Sequence, residues 1–173
     1  MTLFPATPPA GSAVTSPCGR YRYLAVREFG GPGPVISIGL VNPSTADGEQ
    51  NDATMRRMVG FARRMDASRL LVWNKFAWRD RDVRALRGVG DPIGPENDRY
   101  IEQALRESEI RVVAWGPLAK LPARLHGRWR EACAIADRIG AELQCWGRAG
   151  DGHPLHPLML PYELPLKLWE RPL

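Results

Sequence analysis

Four short apolar runs recur along the chain, at Val35 to Val41, Leu70 to Asn74, Val112 to Trp115 and Leu143 to Trp146. They are the length of strands, and runs this apolar suit strands buried on both faces of a parallel sheet. Between them the apolar period becomes helical. Met55, Met58, Val59, Ala62 and Met65 form one stripe of a helix over Ala53 to Met65, and Arg56 with Arg63 and Arg57 with Arg64 stand on its other side. Asp52 precedes this helix, where a carboxylate either caps the first-turn amides or serves chemistry. Pro95 suits a second helix start, with Ile101, Ala104 and Leu105 on its inner face. Leu125, Trp129, Ala132, Cys133, Ala136 and Ile139 mark a third helix, which Gly140 stops. Arg20 to Arg27 alternates apolar and basic residues like a strand, and the Gly30 to Pro34 segment then forces a loop. The alternation predicts an α/β protein: a three-layer αβα sandwich around a four-stranded, mainly parallel sheet. Residues 1–17, rich in Pro, Ala, Ser and Thr, read as an extended arm, and 18–173 as a single domain.

Composition narrows the class. The chain has 173 residues, 44% hydrophobic and 25% charged, which is ordinary for one globular domain. No apolar run approaches the roughly 20 residues that cross a bilayer. Pro5, Pro8 and Pro9 interrupt an N-terminus that lacks the pattern of a secretory signal. Cys18, Cys133 and Cys145 are odd in number and widely spaced, as in a reducing compartment. The expectation is a cytoplasmic, monomeric protein without cofactor or metal. Too few cysteines are present for an iron–sulfur cluster, and His126, His153 and His156 lack paired zinc spacing.

Charge is uneven. The net charge is +5, yet Thr54 to Arg87 holds ten basic residues against Asp66, Asp80 and Asp82, so this segment alone carries +7. Clustered arginine is the footprint of a phosphate-binding face or, more plainly, of a solvated helix surface.

In open parallel sheets ligands bind beyond the carboxyl ends of the strands. There the first run leads into Asn42-Pro43-Ser44-Thr45-Ala46-Asp47, and the second ends at Asn74-Lys75-Phe76. The third ends at Trp115-Gly116-Pro117, and the fourth leads to His153-Pro154-Leu155-His156-Pro157-Leu158. An amide such as Asn74 offers both donor and acceptor to a base edge, or simply caps a strand end. Asn42 either positions a ligand or closes an Asx-turn on Pro43.

These residues resemble the bacterial and phage family known as domain of unknown function 1643. The likeness lies in Cys18-Gly19-Arg20-Tyr21-Arg22-Tyr23, Asn42 to Asp47, Asn74 with Phe76, Ala77 and Trp78, and His156-Pro157-Leu158. More distantly, the order of motifs resembles the uracil-DNA glycosylase superfamily. Gly39-Leu40-Val41-Asn42-Pro43 is similar to its first turn, and Leu70 to Asn74 to its base-reading strand. Val113-Ala114-Trp115-Gly116 is similar to its third motif, and either His153-Pro154 or His156-Pro157-Leu158 to its last. Two departures are Leu155 or Leu158 in place of the usual Ser after His-Pro, and Lys75 where an apolar residue is expected.

That resemblance implies DNA as partner, duplex or single-stranded, and excision of a flipped uracil, damaged or modified base by N-glycosidic hydrolysis. It implies catalytic roles for Asn42, His156 and Asp47, and base contacts for Asn74, Phe76 and Ser44, with Trp78 an alternative stacking ring. Contacts to the DNA backbone fall to Arg56, Arg63, Arg79, Gly116 and His153. A catalytically inactive nucleic-acid or nucleotide binding module on the same fold is the rival expectation.

Overall fold

The computed structural model describes residues 9–44 and 52–173. Seven strands form one sheet: β1 (Ala10–Thr15), β2 (Arg22–Glu28), β3 (Val35–Leu40), β4 (Arg69–Asn74), β5 (Ile110–Val113), β6 (Gln144–Cys145) and β7 (Lys167–Leu168). Their order is β1-β2-β4-β3-β5-β6-β7. The expected strands β3, β4, β5 and β6 pair in parallel, while β1–β2, β2–β4 and β6–β7 pair antiparallel. The expected four-stranded, mainly parallel sheet is thus corrected to a seven-stranded mixed one. The three added strands are β1, β2 and β7; part of the arm supplies β1, because Ala10–Thr15 is extended but paired along β2.

Three helices connect the parallel strands: α1 (Ala53–Arg64), α2 (Asn97–Glu107) and α3 (Arg128–Arg138). Asp52 caps α1, its carboxylate accepting the Met55 amide at 2.7 Å. Pro95, expected at the start of α2, lies just outside it.

Period-two alternation along each strand sorts the core onto two faces. Ile36, Ile38, Leu40, Leu70, Val72, Val112 and Ala114 pack against Met55, Met58, Val59, Phe61 and Ala62 of α1. Leu71, Trp73, Val113 and Trp115 face the other way, onto Ile101, Ala104 and Leu105 of α2 and Trp129, Ala132, Cys133 and Ala136 of α3. Burying a side chain of this kind contributes about 1.5–3 kcal/mol, so the two faces supply the main driving force.

The sheet order locates a crevice. From β3 the chain crosses to β4 on one side, and from β5 it crosses to β6 on the other. Adjacent parallel strands whose connections depart in opposite directions leave a gap beyond their carboxyl ends. That gap lies between the Asn42 and Trp115-Gly116 segments.

Gly39 on β3 illustrates how tight the second face is. A Cβ added there would overlap the Trp73 indole on the neighbouring strand. Replacing Gly39 by Ala is expected to cost about 1–3 kcal/mol through overpacking, read as a lower urea midpoint with unchanged slope.

Candidate functional site

A cavity of about 730 Å³ occupies the crevice. Asn42, Asn74, Trp115, Gly116 and His156 line it, so the loops after all four parallel strands contribute. Its lining also holds the cations Arg22, Lys75, Arg81, Arg84 and Lys120 and the carboxylates Asp52, Asp80 and Asp82. The surplus of positive charge suits an anionic or phosphate-bearing ligand.

Asn74 is the last residue of β4 and only 2% exposed. Its backbone carbonyl accepts the Asn97 side-chain amide at 3.0 Å, but its side-chain Oδ1 has no hydrogen-bond partner among the described residues. A buried carbonyl left unpaired costs about 1–3 kcal/mol. A ligand donor reaching it would recover that cost.

His156 caps a short 3₁₀ turn, Pro157–Met159, with its Nδ1 accepting the Leu158 amide at 3.3 Å. Burial lowers the imidazole pKa, the nearby Asp52 carboxylate raises it and Lys120 lowers it further. The ring is therefore neutral at pH 7, and with Nδ1 accepting, its proton sits on Nε2. Nε2–H is the donor this residue can offer a ligand.

Asn42 donates through Nδ2 to the Asp80 carbonyl at 2.8 Å, pinning the loop that follows β3 to the Arg- and Asp-rich segment. Its contact with the Pro43 carbonyl is longer, 3.4 Å, and is not the Asx-turn considered from sequence. Ser44 lines the cavity but donates to Asp52 Oδ2 at 2.6 Å. Asp52 therefore holds Ser44 and the first turn of α1 together, as well as facing the cavity. Asp47 lies outside the described residues.

Several expected residues lie elsewhere. Phe76 is fully buried with Leu86, Leu121 and Leu125 and does not line the cavity, so stacking on a ligand is corrected to core packing. Trp78 packs edge-on against Tyr21, away from the cavity. His153 is also core, not a phosphate contact: its Nδ1 accepts Trp115 Nε1 at 3.3 Å, and Trp129 and Trp169 enclose it. Gly116 lines the cavity at φ 77°, a conformation glycine adopts freely.

The arginines do not converge. Arg56 is exposed on α1, and Arg63 lies in its last turn with its guanidinium over the Phe29 ring. Arg79 donates to the Gly19 carbonyl at 3.2 Å and braces the approach to β2. None of these three lines the cavity. The basic cluster is thus split between structural contacts and Lys75, Arg81 and Arg84 at the site.

Lys75 is the residue sequence reading passed over, noting only that it replaced an apolar one. It is 1% exposed, lines the cavity, and makes no ion pair among the described residues. Its ammonium nitrogen lies 5.0 Å from the centre of the Trp115 ring. Desolvation, reinforced by the buried Arg128 guanidinium, brings its pKa down to about 7. Arg22 was missed too: it is buried at the cavity wall, and burial lowers its pKa to about 10. The signal available for both was a cation inside or abutting an apolar run.

Fold and site together define an α/β protein with a polar, cation-rich cavity at the carboxyl edge of its parallel strands. Residues 22–158 match the family described as protein of unknown function DUF1643, and the chain belongs to that family. No curated protein and no solved structure gives a significant match. No helix among the described residues is long and apolar enough to cross a membrane.

The Lys75 shift has a stability consequence. Between about pH 7 and its ordinary pKa of 10.5, the unfolded chain holds a proton that the folded chain has released. Stability from this group therefore rises with pH across that window and is lowest below about 7. Lys75→Met is expected to remove that component, so urea midpoints of wild type and variant should converge as pH rises from 7 to 10.

Proposed function

We propose that the cavity receives a nucleobase flipped from DNA and that the protein hydrolyses its N-glycosidic bond. The observation that carries this reading is the unpaired, buried Asn74 amide oxygen lining the same cavity as a neutral His156. A primary amide with an open acceptor reads a base edge by complementary hydrogen bonds. An imidazole with Nε2–H available stabilises charge that develops on the carbonyl of a departing base. Asn42 keeps Oδ1 to orient a water, since among the described residues only its Nδ2 is engaged. Asp52, close enough to influence both His156 and Arg22, offers negative charge to the sugar as it becomes cationic. The order of motifs and the strand-end site agree with the likeness to the uracil-DNA glycosylase superfamily, and on this reading the fold is of that type.

Phosphates are assigned to Arg81, Arg84 and Lys120 at the cavity, and to Arg56 and Arg63 on α1 as an outer footprint. Binding without chemistry is the second reading, favoured by the engagement of the Asp52 carboxylate with Ser44 and Met55.

Incubation with duplexes carrying uracil, hypoxanthine or a hypermodified base, followed by alkaline cleavage of abasic sites, tests the proposal. Release of one base supports hydrolysis. Tight binding with no release from any substrate favours the binding module. Asn74→Ala is expected to relax base choice, because a site built on paired hydrogen bonds discriminates through them. His156→Ala is expected to slow release by about 10²–10³, the loss typical of one transition-state donor. Equal losses of rate and affinity in both variants would point to unfolding instead.

The salt dependence of DNA affinity is a separate check. Lys120→Ala and Arg84→Ala should each lower the slope of log affinity against log salt by about one. Unchanged slopes would remove the cavity cations from the DNA footprint.

A further inference from the structure

Lys75 is a costly residue to keep where it is. A buried ammonium ordinarily carries a carboxylate partner, because desolvation otherwise penalises the charge. Here the side chain lies against the Trp115 and Phe76 rings, and the strongest charged neighbour is the Arg128 guanidinium, which repels it. Cys133 and Asp151 oppose this more weakly than Arg128 acts; Asp151 accepts the Leu118 amide and Cys133 is buried. Desolvation beside a second cation is the arrangement that turns a lysine into a nucleophile. Its position adds the second requirement. Lys75 follows Asn74 at the end of β4, and both line the cavity that also holds His156. The backbone of Lys75 is fixed, its amide donating to the Leu40 carbonyl at 2.9 Å and its carbonyl accepting from Asn97 and Arg128.

We propose that the Lys75 ε-amine attacks an aldehyde carbon of the ligand in this cavity and forms an imine. The proposal rests on the base-excision reading, which names the aldehyde: the ring-opened C1′ of the abasic deoxyribose left when a base departs. The neutral amine adds to C1′, and the carbinolamine loses water to give the imine. A proton then leaves C2′ for solvent, the C3′–O bond breaks, and its electron pair departs with the 3′-phosphate. Water hydrolyses the imine, returning the amine and releasing the unsaturated aldehyde. The sequence consumes no oxidant or reductant. It makes the protein a strand-nicking lyase as well as a hydrolase.

The test uses a duplex with a pre-formed abasic site, so that base removal is not needed. Borohydride added during incubation reduces an imine to a stable secondary amine. The full chain is expected to form a one-to-one covalent adduct with this duplex, and mass mapping of the adduct peptide should place the linkage on Lys75. Lys75→Met and Lys75→Arg should both lose the adduct to background, the arginine showing that charge alone does not suffice. Folding of each variant is checked by circular dichroism and by retained affinity for the same duplex. Absence of adduct with the wild-type chain, or linkage mapped to Lys120 or another amine, overturns the proposal without any reliance on variants. Failure of base release on intact duplexes alongside successful trapping would sink the excision reading alone. Base release without trapping would sink the lysine nucleophile alone.

Discussion

One carbonyl group organises the site. The Lys75 backbone oxygen, one residue beyond β4, accepts the Asn97 Nδ2 at 3.0 Å and the Arg128 Nε at 2.9 Å. Asn97 also donates to the Asn74 carbonyl, so the first residue of α2 ties down both positions. Arg128, at the start of α3, is itself held by Asp98 and Glu131. Two helices from one face of the sheet thereby clamp the end of a central strand. A strand end in solvent would fray; this one cannot move without breaking a charge-assisted bond worth about 1.5–3 kcal/mol and two neutral amide bonds worth about 0.5–1.5 kcal/mol each. The backbone that carries the Asn74 and Lys75 side chains into the cavity is fixed as a result.

The clamp has an electrostatic side effect. The guanidinium that fixes the Lys75 backbone also repels the Lys75 ammonium. One contact therefore both positions the residue and depresses its pKa. On the same face as the clamp, the Trp115, Trp129 and Trp169 rings pack with His153 behind the cavity wall that Trp115 forms.

The parallel centre of the fold was legible because each strand is a bounded apolar run and each helix carries a 3.6-residue stripe. Asp52 as a cap followed from the same local chemistry. What sequence could not supply was pairing. Nothing in Ala10–Thr15 distinguishes an unpaired arm from an edge strand, and Lys167–Leu168 is two exposed residues with no period at all. The candidate site was legible as a set of strand ends, since any parallel sheet brings those loops to one edge. Its membership was less so. After a strand ends, period two ends with it: Asn74 and Lys75 both reach the cavity, and Phe76 turns into the Leu86, Leu121 and Leu125 cluster. Between His153 and His156, three residues apart, only the tertiary packing decides which enters the core. Arginine content misled for a related reason. Arg57 and Arg63 lie over aromatic rings, and Arg69 pairs with Glu28 and Glu107, contacts that are distant in sequence.

A polar cavity can be a structural accident, and the pattern of satisfaction argues otherwise here. Most polar groups that hold this fold together are paired: Arg128, Ser108 and Asp52 make short hydrogen bonds, and Asn97 donates through Nδ2 although its Oδ1 is unpaired among the described residues. Among the described residues the buried, unpaired Asn74 Oδ1 shares one cavity with Lys75 and His156, whereas the unpaired Trp73 Nε1 and Asn97 Oδ1 lie outside it. Unpaired buried polar atoms are few in native proteins, and each needs a reason. A structural role would favour Leu or Met at position 75, which would fill the same volume without the desolvation cost. Retaining an amine there, beside a second cation and at the end of a clamped strand, is stability given up locally. Such concessions are the mark of a site that binds or reacts. On the proposed reading the three groups also differ in kind: an acceptor, a donor and a nucleophile. A ligand that uses all three must carry a hydrogen-bonding edge, a carbonyl that gains charge, and an electrophilic carbon within one cavity of about 730 Å³.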